Sequence, residues 1–163
     1  MIERFLKQTV FTSQEDYIKN LHFNVPENFN FAYDVVDVYA SEQPDKKALL
    51  WTNDHDEVHQ FTFADIKRET DRTASYFQTL GIGKGDPVML ILKRRYEFWF
   101  SILGLHKLGA VAIPATNQLL TKDFTYRFQA ANVRAIVCTA DGVTADAVDE
   151  AAAQCPNLAC KIL

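Results

Sequence analysis

The sequence has 163 residues, of which 48% are hydrophobic and 23% charged, a balance typical of one globular domain with a sizeable core. Its net charge of −4 and pI near 5.5 provide no strongly positive surface of the kind that binds nucleic acid or an anionic membrane. The apolar runs all fall short of the roughly 18 residues that are needed to cross a bilayer.

The first 24 residues are predicted to form an N-terminal helical extension. Apolar residues recur there at helix-like spacing, and the segment TSQE at 12–15 resembles a capping box around a second helix. Charged residues interrupt the apolar ones, so this segment does not have the pattern of a signal peptide. Pro26 ends the pattern, and NFNFAYDVVDVYASEQP predicts another helix that ends before Pro44.

A short β-hairpin is predicted next. The segments ALLW at 48–51 and FTF at 61–63 have the length and composition of strands, and the polar run TNDHDEVHQ lies between them. His55 and His59 lie in this run beside acidic residues, which superficially suggests a metal site. Because the run is predicted to be a loop and not a helix, the two rings need not converge, and we interpret the run as solvated.

From Phe63 onward, predicted helices and strands alternate. The helices are FADIKRETDRTASYFQTLG, YEFWFSILGLHKLG, TKDFTYRFQAAN and VTADAVDEAAAQC, and the strands are PVMLILKR, AVAIPA, AIVCT and KIL. Such alternation implies right-handed crossovers. The predicted fold class is therefore α/β, a parallel sheet with helices on both faces, preceded by helices and a short β-hairpin. Because KIL begins an apolar strand at the end of the sequence, we expect the chain to be part of a larger architecture.

The motif GIGKGDPV contains three glycines and a lysine, as a phosphate-binding loop would. A P-loop, however, follows a strand and opens a helix, so that backbone N–H groups and the helix N-terminus face the phosphates. Here the glycines follow a helix and precede a strand, which favours a helix C-cap and a turn. No strand-to-helix loop in the sequence carries phosphate-binding glycines, and this disfavours a flavodoxin-like nucleotide-binding protein.

The segment KRRYEFW places Lys93, Arg94 and Arg95 after the first buried strand. Ligands of open α/β sheets gather at the carboxyl ends of strands, so these cations are in a position to meet an anion. Runs of charge are more often solvated surface, and we interpret this one as a solvated strand-to-helix loop.

Three cysteines, Cys138, Cys155 and Cys160, lie late in the sequence, and none belongs to a CxxC pair. Their odd number and spacing predict reduced thiols, with Cys138 in the core. Reduced cysteines are typical of proteins of the cytoplasm, which is the predicted location.

The loop PATNQLLT follows the second buried strand. Thr116, Asn117 and Gln118 lie where the topology places ligands, and each can hydrogen-bond a polar ligand, but none is an acid, a base or a nucleophile at neutral pH. The alternative is a local role, with Thr121 as the N-cap of the next helix and Asn117 holding the turn. The residues alone leave both interpretations open.

Residues 25–163 resemble the N-terminal region of AMP-forming acyl-CoA synthetases, in the adenylate-forming superfamily. Four segments carry the resemblance together: PDKKALLW with FTFADI, GIGKGDPVMLIL, EFWFSILGLHKLGAVAIPAT and LLTKDFTYRFQAANVRAIV. The EFW motif and the combination of IPATNQL with DFTYR are most similar to the medium-chain fatty acyl or benzoate-type branch. The resemblance divides the chain into the extension, 1–24, and the truncated N-terminal part of an AMP-binding large domain, 25–163.

The resemblance implies an enzyme that uses ATP, Mg²⁺ and coenzyme A to convert a carboxylic acid, through an acyl-adenylate, into a thioester. It implies that Gln118 contacts coenzyme A, with Thr116 and Asn117 as weaker candidates, and it assigns no catalytic or metal-binding residue. The family's phosphate loop and catalytic lysine have no counterpart here, so we expect the fragment to be inactive alone, to hold no cofactor and to self-associate, with a dimer as the expected form. The alternative is a stand-alone, non-catalytic α/β interaction module.

Overall fold

The computed structural model describes all 163 residues of the chain. The N-terminal extension is less helical than its apolar spacing predicts, since helical structure is limited to a 3-10 turn, Ile2–Arg4, and helix α1, Gln14–Asn20. Neither element contains a buried residue, and short helices without tertiary packing are marginal in water. The N-cap of α1 is Ser13, whose hydroxyl accepts a hydrogen bond from the backbone N–H of Asp16.

Short elements connect this segment to the main part of the fold. A π-helical turn, Ala32–Asp37, continues into helix α2, Val38–Glu42, which ends before Pro44 as predicted. Strands β1, Lys47–Thr52, and β2, Val58–Thr62, then pair in antiparallel fashion. The predicted β-hairpin is therefore confirmed.

Helix α3, Phe63–Thr79, begins at Phe63 as predicted. Phe63 was also assigned to the second strand of the hairpin, and that assignment is wrong, because β2 ends at Thr62. The hydroxyl of Thr62 accepts a hydrogen bond from the backbone N–H of Asp65, and the carboxylate of Asp65 accepts one from the backbone N–H of Thr62. This reciprocal capping box satisfies two otherwise unpaired donors and fixes the start of the helix. Beyond its C-terminal end, Gly81 adopts a left-handed φ of 76°, which glycine tolerates without strain.

Four parallel strands form the central sheet, in the order β4-β3-β5-β6. The strands are β3, Pro87–Ile91; β4, Val111–Pro114; β5, Ala135–Cys138; and β6, Cys160–Ile162. The connecting helices are α4, Glu97–Leu108; α5, Thr121–Ala130; and α6, Gly142–Ala152.

Alternate residues of the buried strands face opposite helical layers. Met89 and Ile91 of β3 belong to a core cluster with Phe124 of α5 and Val148 of α6. The residues between and beside them, such as Leu90, pack instead with residues of α3 and α4. Because both faces of the sheet are covered, its central strands are apolar throughout. The predicted α/β class, with helices on both faces of a parallel sheet, is confirmed.

The π-helical turn, Ala32–Asp37, packs on the side of the α3–α4 layer that lies opposite the central sheet. Ala32 and Val36 form a third core cluster there with Ile66 of α3 and with Phe100 and Leu103 of α4. Helix α4 therefore has two apolar faces, one against the sheet and one against the π-helical turn. None of the helices has the length and apolar character that are needed to span a bilayer.

Candidate functional site

The carboxyl ends of β3, β4 and β5 lie at one edge of the sheet, because the strands are parallel. The loop after β4, residues 115–120, carries the three candidate residues. Its backbone is fixed by a hydrogen bond of 3.0 Å from the N–H of Ala115 to the carbonyl of Leu90. The partly buried side chains of Ala115 and Leu119 pack on the core cluster that includes α5 and α6. The loop is thus anchored at both ends by apolar contacts.

The three candidate side chains Thr116, Asn117 and Gln118 are all exposed. The hydroxyl of Thr116 accepts a hydrogen bond of 3.3 Å from the backbone N–H of Gln118, which rigidifies the turn. The side-chain amides of Asn117 and Gln118 make no hydrogen bond within the chain. They are therefore available to a ligand without first breaking an internal contact.

The local interpretation of this loop is wrong in two respects. Thr121 is the first residue of α5 and not its N-cap; its hydroxyl donates to the carboxylate of Glu150 at 2.8 Å. The backbone N–H of Leu120 is instead satisfied by the carboxylate of Asp123, at 3.0 Å. The side chain of Asn117 does not hold the turn, because the Thr116 hydroxyl does so.

An open depression of about 470 Å³ lies beside this loop. Its lining residues are Lys93, Arg94, Ala115, Thr116 and Asn117. The structure thus brings two cations of the KRR segment to two of the three candidate residues. Gln118, the next residue along the loop, is not among the lining residues.

Lys93 is held in place by a network at the edge of the sheet. Its ammonium group lies 2.7 Å from the carboxylate of Asp141, which also accepts hydrogen bonds from the Thr139 hydroxyl and the backbone N–H of Thr144. The hydrogen bond from Lys93, followed by that from Thr139, keeps the pKa of Asp141 far below its usual range. Asp141 is therefore ionised at neutral pH and offsets part of the charge of Lys93.

Arg94 is positioned differently from Lys93. Its backbone carbonyl accepts a hydrogen bond of 2.6 Å from the indole N–H of Trp51 in β1, so the hairpin fixes the backbone of this loop. Its exposed guanidinium makes no hydrogen bond or ion pair within the chain. All three cations of the KRR segment are exposed, which confirms that the segment is solvated, but Arg94 retains an uncompensated charge beside Thr116 and Asn117.

A second depression, of about 340 Å³, lies between the carboxyl ends of β3 and β5. Arg95, Glu97, Ser101 and Thr139 contribute its polar groups. One carboxylate oxygen of Glu97, Oε2, is buried without a hydrogen-bond partner. Sequence reasoning missed this carboxylate, because Glu97 lies in the first turn of α4, where the helix dipole alone favours an acidic residue.

The histidines of the hairpin do not meet at a metal site. His59 lies in β2, where its ring packs against Trp51 and Tyr96, with centroid distances of 5.5 and 5.1 Å. No group of three or more His, Cys, Asp or Glu side chains is arranged to hold a metal ion. In the GIGKGDPV segment, the Asp86 carboxylate accepts a hydrogen bond from the N–H of Gly83 at 2.8 Å, which confirms that the segment is a structural turn.

The parallel sheet, its two helical layers and the small antiparallel sheet define the N-terminal subdomain of an adenylate-forming enzyme. The solved N-terminal domain of FACL13 from Mycobacterium tuberculosis superposes on this chain with a TM-score of 0.73 and a sequence identity of 25%. The superposition covers 82% of this chain and 33% of the FACL13 domain. The anthranilate CoA ligase AuaEII, solved in complex with anthranoyl-AMP, gives a TM-score of 0.74 over 84% of this chain and 25% of its own. Because AuaEII is only 22% identical to this chain, its structural similarity supports the fold alone.

Sequence comparison identifies the family. The model of the AMP-binding enzyme family matches residues 36–163, and the chain belongs to this family. Mitochondrial acyl-coenzyme A synthetase ACSM5 of Rattus norvegicus is 37% identical over 145 residues, which are 85% of this chain and 25% of the relative. Human mitochondrial ACSM1 is 37% identical over 147 residues, which are 86% of this chain and 25% of the relative. The chain therefore spans 25% of the length of these curated relatives.

Proposed function

We propose that the whole protein is an AMP-forming acyl-CoA synthetase and that this chain is its N-terminal part. The carboxylate of the acid attacks the α-phosphate of ATP, which forms an acyl-adenylate and releases pyrophosphate. The thiol of coenzyme A then attacks the acyl carbon and displaces AMP, which leaves a thioester. The observation that carries the proposal is the family match over residues 36–163, together with relatives that are themselves acyl-coenzyme A synthetases.

The experiment is an assay of the full-length protein with ATP, Mg²⁺, coenzyme A and one acid at a time. Octanoate, benzoate and acetate represent medium-chain, aromatic and short-chain substrates. We expect pyrophosphate release and AMP formation with octanoate or benzoate, and none with the 163-residue chain alone. Absence of AMP formation with every carboxylate would overturn the ligase proposal and favour a non-catalytic module.

The loop after β4 is proposed to contact coenzyme A, through Gln118 first and through Asn117 and Thr116 second. Its free amides and hydroxyl suit the polar groups of coenzyme A, which need to be held but not activated. The cations of Lys93 and Arg94 border the same depression and suit the phosphates of coenzyme A. The residues that hold ATP and Mg²⁺ are proposed to belong to the rest of the protein.

The division of the chain into an extension, 1–24, and the start of an AMP-binding large domain, 25–163, remains a proposal. Limited proteolysis tests it. Cleavage near residue 24 that leaves a stable core supports the boundary, whereas simultaneous loss of both parts contradicts it.

Self-association of the 163-residue chain is also proposed, with a dimer as the expected form. Strands β4 and β6 are the two edges of the central sheet, and unpaired edge strands template pairing with another chain. Val111 on β4 is 48% exposed and Leu163 after β6 is 69% exposed. Light scattering tests this, because a monomer at high concentration would contradict it.

Residence in the cytoplasm stays a prediction. The relatives described above are mitochondrial proteins. Fractionation of cells that express the full-length protein decides between the two compartments.

A further inference from the structure

The loop between β3 and α4 carries three cations in three different surroundings. The ammonium group of Lys93 lies 2.7 Å from the carboxylate of Asp141, which offsets its charge. Arg95 lines the second depression, between the carboxyl ends of β3 and β5. Of the three, only Arg94 combines a guanidinium that has no ion pair with a place in the depression beside the loop after β4.

The backbone at Arg94 is held in one conformation. The N–H of Arg95 donates to the carbonyl of Leu92 at 3.0 Å, which closes a turn. Lys93, inside this turn, has a left-handed φ of 52°, a conformation that residues other than glycine adopt where the surrounding structure imposes it. The indole N–H of Trp51 donates to the carbonyl of Arg94 at 2.6 Å. The hairpin therefore helps to shape a loop that lies 43 residues further along the chain.

Trp51 is itself fixed by aromatic contacts. Its ring lies edge-to-face with that of Tyr96, at a centroid distance of 5.2 Å, and 5.5 Å from the ring of His59. Tyr96 in turn packs at 5.2 Å against Phe61 of β2. Such aromatic pairs are stabilising beyond the area that they bury. A ligand of Arg94 therefore needs to order the side chain of Arg94 but not the loop that carries it, and this lowers the entropy cost of binding.

We propose that Arg94 binds a phosphate group of coenzyme A and that Trp51 is a positioning residue for Arg94. This inference rests on the proposed function, in which the neighbouring loop after β4 contacts coenzyme A. A guanidinium presents a planar fork of N–H donors that matches two phosphate oxygens at once. The hydroxyl of Thr116 and the amide of Asn117 line the same depression and can donate further hydrogen bonds to phosphate oxygens.

The charge and openness of this depression suit a phosphate group. Because Asp141 offsets the charge of Lys93, Arg94 provides the positive charge that is free to meet an anion. The depression, of about 470 Å³, is open to solvent, so a bound phosphate keeps part of its hydration and the cost of desolvating it stays small. Coenzyme A carries phosphate at two places, the 3′-phosphate and the diphosphate, and the test distinguishes between them.

The test is thioester formation by the full-length protein with three thiols. Coenzyme A has both phosphate groups, dephospho-coenzyme A lacks the 3′-phosphate, and pantetheine has no phosphate. We expect Arg94→Gln to raise the KM for coenzyme A by about tenfold, as loss of a charge-assisted hydrogen bond allows, and to leave the KM for pantetheine unchanged. An effect that disappears with dephospho-coenzyme A assigns Arg94 to the 3′-phosphate, and one that persists assigns it to the diphosphate. Arg94→Lys, which keeps the charge but not the fork, should recover part of the affinity.

Trp51→Phe tests the positioning role, because it keeps a ring but removes the donor to the Arg94 carbonyl. We expect it to raise the KM for coenzyme A by about threefold to fivefold without changing kcat or the KM for pantetheine. In the double variant with Arg94→Gln, it should add nothing further, because Trp51 acts through Arg94. The matched controls are Trp99→Phe, at the other tryptophan of the chain, and Arg72→Gln, which removes a cation of α3 that is 73% exposed. Both should leave the KM for coenzyme A unchanged.

Exchange of pyrophosphate into ATP should be unchanged in every variant, because coenzyme A takes no part in that step. The proposal is overturned if Arg94→Gln leaves the KM for coenzyme A unchanged, raises the KM for pantetheine equally, or impairs the exchange. If the effect of Trp51→Phe adds in full to that of Arg94→Gln, the positioning role is wrong. Absence of exchange with every acid in the unmodified protein is a different failure: it removes the proposed function, and this inference falls with it.

Discussion

The ammonium group of Lys107 contacts both carboxylate oxygens of Asp37, at 2.9 and 3.0 Å, and its side chain is only 2% exposed. A carboxylate oxygen of Asp71 lies 2.5 Å from the same nitrogen. Burial opposes ionisation of Asp71, but the hydrogen bonds from Lys107 and Lys67 outweigh it, and the pKa of Asp71 is lowered. These ion pairs join the π-helical turn to helices α3 and α4.

Replacement of Lys107 by methionine should destabilise the fold strongly. Asp37, 15% exposed, would lose its main cation, and breaking a buried pair by removing one partner costs about 3–5 kcal/mol. We expect the free energy of unfolding to fall by about 3 kcal/mol, at the lower end of this range, because Asp71 is 45% exposed and can be rehydrated. Urea unfolding of the 163-residue chain measures the change. The matched control is Lys67→Met, because the side chain of Lys67 is 43% exposed. This variant should lower the free energy of unfolding by less than about 1 kcal/mol. Equal destabilisation by the two variants would contradict a special role for Lys107.

Gly104 allows helices α3 and α4 to approach closely. A Cβ atom at this position would lie 3.1 Å from Cγ2 of Thr73 and 3.2 Å from the backbone nitrogen of Ala74. We expect Gly104→Ala to lower the free energy of unfolding by about 1–2 kcal/mol, because overpacking outweighs the better helix propensity of alanine. The double variant with Thr73→Ser removes the crowding methyl group and should recover part of the loss. A more stable single variant would show that the helices separate freely.

Replacement of Gln118 by alanine should impair the coenzyme A step alone. Loss of one hydrogen bond to coenzyme A raises its apparent KM by about fivefold to tenfold. Exchange of pyrophosphate into ATP, which reports formation of the acyl-adenylate, should stay unchanged in the full-length protein. The matched control is Gln129→Ala, an exposed glutamine on α5, which should leave both steps intact. Equal loss in both half-reactions of the Gln118 variant would remove its assignment.

The stability of the fold should fall as the pH drops through the ordinary pKa of histidine, because His106 has a lowered pKa. Between that lowered value and 6.5, the unfolded chain binds more protons at this position than the folded chain does, so acid favours unfolding. Urea titrations at pH 7.5 and 5.5 should show that His106→Gln reduces the pH dependence. The exposed residue His22 provides the control variant His22→Gln. Equal effects of the two variants would remove the role of His106.

Only one of the three cysteines should react rapidly with a thiol reagent in the folded chain. Cys138 and Cys155 are 1% and 4% exposed, whereas Cys160 is partly exposed. Burial raises the pKa of the Cys138 thiol to about 11, which leaves almost no reactive thiolate at pH 8. Titration with a disulfide reagent should give one fast equivalent, absent from Cys160→Ser, and two more on denaturation. Fast modification of all three thiols would show that the α5–α6 layer opens readily.

The order of the elements could be predicted because each element has its own local pattern of apolar residues, caps and turn residues. The apolar run that contains Met89 and Leu90 required cover on both faces, and Gly81 marked the end of α3. The sequence left Phe63 in both the second strand and helix α3, because an aromatic residue suits a strand. The carboxylate of Asp65, which accepts a hydrogen bond from the backbone N–H of Thr62, places Phe63 in the helix.

The sequence by itself determined that helices and strands alternate, that the sheet is parallel, and which loop follows β4, since periodicity and caps act over a few residues. Only the tertiary structure decided which distant groups meet. Asp37 lies 70 residues from Lys107, and no local pattern distinguishes this buried lysine from a solvated one. The same is true of Arg94 beside Thr116, and of His106, whose ring nitrogen Nδ1 is buried without a hydrogen-bond partner. Contacts of this kind depend on packing between layers, which is settled only when the whole apolar core is assembled.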